Sequence, residues 1–144
     1  MLDFVIPFII LILVVVFIHE YGHYYFARKY GVGVTDFSIG FGKELFGWND
    51  KSGTRWKICL IPLGGYVKIK GLDSVFQKNS TEEIGSFQSL RLYQKIFILL
   101  AGSLFNIISA WIALFSIFFF FGIVTFLPII GKVLDTSAAQ ENDL

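Results

Sequence analysis

From Phe4 to Ile18 the chain runs 15 residues without a polar side chain, then passes into His19-Glu20-Tyr21-Gly22-His23-Tyr24-Tyr25-Phe26-Ala27 before its first cations, Arg28 and Lys29. Counted to Ala27, the segment is long enough to cross a bilayer core, which needs roughly 20 helical residues. A second stretch, Ile96 to Ile130, holds 35 residues with no charged side chain, enough for one span and an exit segment. Gly122, Pro128 and Gly131 interrupt its far end, so the helix is predicted to finish between Phe121 and Phe126 and to continue as extended chain. The run Phe118 to Phe121 reads as lipid-facing or packing surface.

Between the two stretches the periodicity changes from helical to extended. Val34 to Phe41 alternates loosely, Arg55 to Ile61 alternates before Pro62, and Tyr66 to Lys70 alternates after Gly64-Gly65. Three short strands are predicted. Trp48 to Gly53 reads as a polar turn between the first two, and Leu63-Gly64-Gly65 as a tight turn between the last two. Asp73 to Ser86 is polar and reads as a loose connection.

Composition sharpens this picture. With 55% hydrophobic, 18% aromatic and 16% charged residues over 144 positions, the chain lies outside the range of a water-soluble domain. A net charge of +1 provides no basic surface, which excludes nucleic acid as a partner. The single cysteine, Cys59, excludes an intrachain disulfide and a multi-cysteine metal cluster. A cleavable signal peptide fits poorly. Asp3 is the only early charge, no cationic region precedes the apolar segment, and no small-residue cleavage site follows it. Of the 12 Lys and Arg residues, 11 lie between Arg28 and Lys95, against six acidic residues there, which places the joining loop in the cytoplasm and both ends of the chain outside. The predicted class is a mainly α integral membrane protein. A first transmembrane helix covers 1–27, a cytoplasmic loop with short β-strands 28–94, a second transmembrane helix 95–127, and an exit segment 128–144.

The candidate chemistry is concentrated at residues 19 to 23. His19 and His23 are four apart, so a helix projects both imidazoles from one face, where they can meet one metal ion, with Glu20 beside them. A carboxylate next to a two-histidine zinc site is suited to take a proton from an attacking water and pass it to a leaving amine. Two interfacial histidines and a snorkelling glutamate are the bland alternative. Ionisable residues inside an apolar span are costly, which favours the functional one. Because the motif continues a hydrophobic span, the metal would sit within the bilayer near its cytoplasmic side, and the substrate bond would lie in a transmembrane segment.

Four linked motifs resemble the site-2 protease family of intramembrane zinc metalloproteases, most closely its bacterial regulator-of-sigma-E protease branch. They are His19 to Arg28, Phe37-Ser38-Ile39-Gly40-Phe41-Gly42, Ile61 to Lys68, and Ala101-Gly102-Ser103-Leu104-Phe105-Asn106, in the family's order. The resemblance implies that His19 and His23 bind Zn2+ and that Glu20 is catalytic. It implies a substrate-presenting, strand-rich element over Phe37 to Lys70, including Gly40, Gly42, Gly64 and Gly65; a plain structural hairpin is the alternative. Gly102 and Asn106 match the family's second-helix motif, with Ser103 where proline is usual. Asn106 either hydrogen-bonds near the site or joins helices.

The family's third zinc ligand, an aspartate in a Leu-Asp-Gly motif of a later span, has no counterpart here. The tail from Pro128 resembles the opening of an outward-facing PDZ domain, so the chain reads as the N-terminal part of a longer protease. The resemblance further implies a bacterial inner-membrane location and a single-span, anti-sigma-factor-like substrate. Two other readings stand beside it. One is an inactive membrane scaffold or regulatory homologue, which the intact His-Glu-x-x-His argues against and the absent third ligand leaves open. The other is a prenyl-protein protease, disfavoured because that type carries its motif after several spans.

Overall fold

The computed structural model describes residues 2–72 and 84–122. The expected PDZ opening at 128–144 and most of the loose connection after Leu72 lie outside them.

Helix α1 runs over Leu2–Lys29, with Asp3 in its first turn and Arg28 and Lys29 in its last, each sign matched to the helix dipole. Pro7 is tolerated early in the helix, where it removes the single bond to the Asp3 carbonyl. The helix stops at Gly31, which takes φ 77°. Val32 N–H donates to Ala27 O (2.9 Å) and Gly31 N–H to Arg28 O (3.0 Å), a Schellman cap whose hydrophobic contact, Ala27 with Val32, belongs to the buried core.

Two antiparallel strands follow, β1 over Val34–Asn49 and β2 over Arg55–Ile69. This differs from the three short strands expected. β1 continues past Phe41 to Asn49, so Trp48 and Asn49 are strand rather than part of the turn, and Leu63-Gly64-Gly65 stays inside β2 rather than reversing it. Positive φ at Gly40, Gly42 and Gly64 explains the miss, because these glycines bend the strands without ending them. The bending lets Arg55 to Ile58 face two parts of β1, partnering Phe46 to Asn49 and also Asp36 to Ile39. The reversal itself spans residues 50–54. There Asp50 accepts from the N–H groups of Ser52 (2.7 Å) and Thr54 (2.9 Å), and Gly53 takes φ 81°.

Helix α2 covers Leu92–Phe121. Arg91 precedes it, and the Gln94 side chain accepts from the Arg91 N–H (2.9 Å), one half of a capping box. Gly122, at φ 73°, ends it. The stop falls at the near edge of the interval read from the sequence, and α2 passes through Ser103 as unbroken helix.

The described residues up to Ala113 form one compact unit. Its core sits where α1 ends and α2 begins, with Ala27, Val32, Val34, Ile69, Phe87 and Ile98 buried together. Backbone bonds from Gly33 to Gly85, Lys70 to Gly33 and Phe87 to Lys70 lace the connections over it. The second unit begins at Leu114 and contains the last turns of α2, where Phe115 stacks on Phe119. Both helices are long and apolar enough to cross a membrane, and neither apolar window is buried within the protein.

Candidate metal centre and active site

α1 carries His19, Glu20 and His23 on consecutive turns, and α2 lies against them so closely that only small residues fit. A Cβ on Gly22 would fall 2.5 Å from the Ala101 carbonyl oxygen. A Cβ on Gly102 would fall 2.6 Å from His19 Nε2 and closer still to His23 Nε2. Both Nε2 atoms therefore converge on one point over the bare face of α2. The rings themselves are 4.9 Å apart between centroids, inclined at 75°.

The opposite ring nitrogens are held by α2. His23 Nδ1 lies 2.7 Å from the Ile98 carbonyl oxygen. A carbonyl only accepts, so Nδ1 carries the hydrogen and Nε2 keeps its lone pair. His19 Nδ1 lies 3.2 Å from the Asn106 amide nitrogen, while Asn106 Oδ1 is buried with no hydrogen-bond partner among the described residues. Two convergent imidazole Nε2 atoms are the donor set zinc takes from a His-x-x-x-His helix. The residues present fit half of a tetrahedral site. Among the described residues, no group of three His, Cys, Asp or Glu side chains gathers at one point.

β2 closes the site from the other side. Gly65 packs so that a Cβ there would lie 3.3 Å from Glu20 Cγ, 3.0 Å from Val16 Cγ1 and 2.6 Å from the Ser38 carbonyl oxygen. On either side of this contact lies a cavity, and Glu20 lines both. One, of about 300 Å³, is bounded by His23, Tyr66, Val67, Ile69 and Leu99 among others. The second, of about 290 Å³, is bounded by His19, Phe41, Gly64 and Asn106. A bare glycine backbone thus borders the carboxylate, with open space on both flanks.

The residues singled out from the sequence fall in three places. His19, Glu20, His23, Gly102, Asn106 and Gly65 meet at the centre. Gly64 lines the second cavity with Phe41, whose ring fills the space a Cβ on Gly64 would need. Gly40 packs on the Ile61 carbonyl and Gly42 on the Ile61 side chain, so both shape the bend of β1. Phe37 is fully buried, stacked on Trp56 at 4.2 Å and edge-on to Phe17 and Tyr24. It holds the sheet to α1 and lines neither cavity.

Sequence reasoning missed the Ile98 carbonyl, which leaves no side-chain signal, and Asp50. Asp50 accepts from Tyr24 Oη (3.1 Å) and Trp56 Nε1 (3.2 Å) besides its own turn, tying the hairpin tip to α1 one residue beyond His23. Burial pushes the Asp50 carboxyl up, but the Thr54, Trp56, Ser52 and Tyr24 donors outweigh it and hold the group below its ordinary value. Asp36 is likewise held low, chiefly by its hydrogen bond from Lys57, and Lys57 is raised by the same contact.

A two-histidine helix with an adjacent carboxylate, in a chain of two long apolar helices around a small sheet, defines the zinc metalloprotease class. The profile of peptidase family M50, the site-2 proteases, matches residues 7–142, and the chain belongs to that family. Zinc is the family's metal. Similar proteins include "Putative zinc metalloprotease RC0203" of Rickettsia conorii, 47% identical over 142 residues covering 97% of this chain and 40% of that protein. Relatives from Brucella suis, 44% identical across 95% of this chain, and Mesorhizobium japonicum, 38% identical across 94%, bear names of the same form. This chain spans 38% of the Brucella and 40% of the Mesorhizobium protein.

Proposed function

We propose that the protein is an intramembrane zinc metalloendopeptidase that cleaves transmembrane segments of single-span membrane proteins. The observation that carries the proposal is the convergence of His19 Nε2 and His23 Nε2 beside Glu20 on a helix of 28 residues, long enough to span a bilayer. At 1.5 Å per residue, His19 sits roughly 15 Å from the Lys29 end of α1, inside the hydrocarbon layer on the charged side. His19 and His23 hold the zinc, and an aspartate from a later span of the whole protein completes its ligands. Bound there, zinc supplies Lewis-acid polarisation of the scissile carbonyl and lowers the pKa of water. Glu20, open to both cavities, takes the proton of the attacking water on a carboxylate oxygen and returns it to the departing amide nitrogen. The bare backbone at Gly64 and Gly65 gives an unwound substrate segment room to lie extended beside Glu20, which a helical substrate needs before its bonds are reachable.

The branch is the regulator-of-sigma-E type, with an anti-sigma-factor-like substrate and a PDZ domain opening at Pro128. The membrane is the bacterial inner membrane, with the sheet in the cytoplasm. The second reading is an inactive membrane scaffold or regulatory homologue that keeps this fold without a bound metal.

Metal content and cleavage separate the two. Glu20→Gln is expected to keep stoichiometric zinc and lose cleavage of a single-span reporter, while His23→Ala loses zinc. A fully active Glu20→Gln variant removes Glu20 from the mechanism. A full-length protein without zinc supports the scaffold.

A further inference from the structure

The two histidines are held differently at Nδ1, and the difference has a chemical consequence. His23 faces a carbonyl oxygen, which forces the hydrogen onto Nδ1 and frees Nε2. His19 faces the Asn106 amide, with the nitrogen end nearer the ring at 3.2 Å and the oxygen end buried with no donor among the described residues. In that orientation the amide N–H donates to His19 Nδ1, and the ring hydrogen is forced onto Nε2. There it would point at the spot over Gly102 where the two Nε2 atoms meet. A histidine that binds a metal through Nε2 carries its hydrogen on Nδ1, and an N–H cannot face an N–H. The two ends of a side-chain amide have nearly the same shape, so a half-turn about the Cβ–Cγ bond exchanges them without repacking. The turned amide gives the orphaned Oδ1 a donor and His19 Nδ1–H an acceptor in one motion.

We propose that Asn106 is the positioning residue for His19, its Oδ1 accepting from Nδ1–H and so fixing the tautomer that offers Nε2 to the metal. The inference rests on the assignment of His19 and His23 as zinc ligands. α2 then supplies both second partners of the site, the Ile98 carbonyl for His23 and the Asn106 carboxamide oxygen for His19. Each holds its ring at the angle that makes the Nε2 atoms converge. Asn106 touches no reacting atom in this role. Its effect is on metal affinity and ring orientation.

The test uses the full-length protein in lipid nanodiscs and reads zinc affinity by competition with a chromophoric chelator. Asn106→Leu, which keeps the branched outline and removes the acceptor, is expected to weaken zinc about 10- to 100-fold. Asn106→Asp, which keeps an oxygen opposite Nδ1, is expected to stay close to the unsubstituted protein. A purely structural role, in which the amide N–H groups join the helices, predicts the reverse for Asp. Nitrogen-15 spectra of the histidine-labelled, zinc-loaded protein should show a protonated, pyrrole-like Nδ1 on both histidines. Native zinc affinity in Asn106→Leu, an Asp variant as weak as the Leu variant, or a pyridine-like His19 Nδ1 with zinc bound each overturns the proposal. If His19→Ala and His23→Ala also bind zinc normally, the ligand assignment falls with it. If those two variants lose zinc while Asn106→Leu keeps it, only the positioning role falls.

Discussion

A methyl group added at Gly102 and one added at Gly22 meet different kinds of neighbour. At Gly102 it strikes the tips of two imidazole rings, which can swing aside, although doing so takes His23 off the Ile98 carbonyl. At Gly22 it strikes the backbone of Ala101, which can yield only if the two helices separate. Gly102→Ala is therefore expected to leave the fold near its native stability and to lose zinc. Gly22→Ala is expected to destabilise the helix pair by about 1–3 kcal/mol through overpacking. Zinc stoichiometry and thermal unfolding of the two variants side by side check this, and a Gly102→Ala protein with a full complement of zinc contradicts it. Of the residues at the centre, His19, Glu20, His23, Gly102 and Asn106 were all legible in the sequence. What was not legible is which nitrogen of each ring is free, since that depends on partners 75 and 87 residues away.

At the scale of elements, the hairpin tip is held by one carboxylate. Asp50 gathers Ser52, Thr54, Trp56 and Tyr24, and through Tyr24 it fixes the sheet against the helix that bears the histidines. Asp50→Ala removes four acceptor contacts at once and is expected to cost about 1–2 kcal/mol, because the site is open enough for water to replace part of them. Both Asp50 and Asp36 sit below their ordinary pKa in the folded chain. Their contribution is thus complete above about pH 4, where an unfolded aspartate is ionised, and is lost as pH falls further through the folded values. Unfolding followed between pH 6 and pH 3 should show the loss in the native protein and a flatter curve in Asp50→Ala; parallel curves would separate Asp50 from the acid response. The strands themselves were only partly legible. Alternation identified Val34 to Phe41, Arg55 to Ile61 and Tyr66 to Lys70, but Gly-rich stretches that bend a strand carry the same signal as those that end one.

For the whole molecule, the proposed cytoplasmic sheet predicts a single orientation in a bilayer. Lys51 at the exposed hairpin tip and Asp3 at the start of α1 fall on opposite sides if the sheet is cytoplasmic. In sealed vesicles, Lys51→Cys is expected to react with a membrane-impermeant maleimide only when the vesicles are inside-out, and Asp3→Cys only when they are right-side-out. The opposite pattern would invert the topology and place the zinc site near the outer face. Cys59 does not interfere, because it is buried against Ser38.

Two long apolar helices and a His-Glu-x-x-His face are determined by the sequence alone, because both are local. A run of apolar side chains and a four-residue spacing need no distant partner to express themselves. The tertiary structure alone decided the rest. It set Gly65 against Glu20, turned Phe37 into core rather than cavity wall, and brought Ile98 and Asn106 behind the two imidazoles. Each of those contacts depends on how closely α2 and the bent strands approach α1, a distance set by missing side chains at Gly22, Gly65 and Gly102 and by no periodicity along the chain.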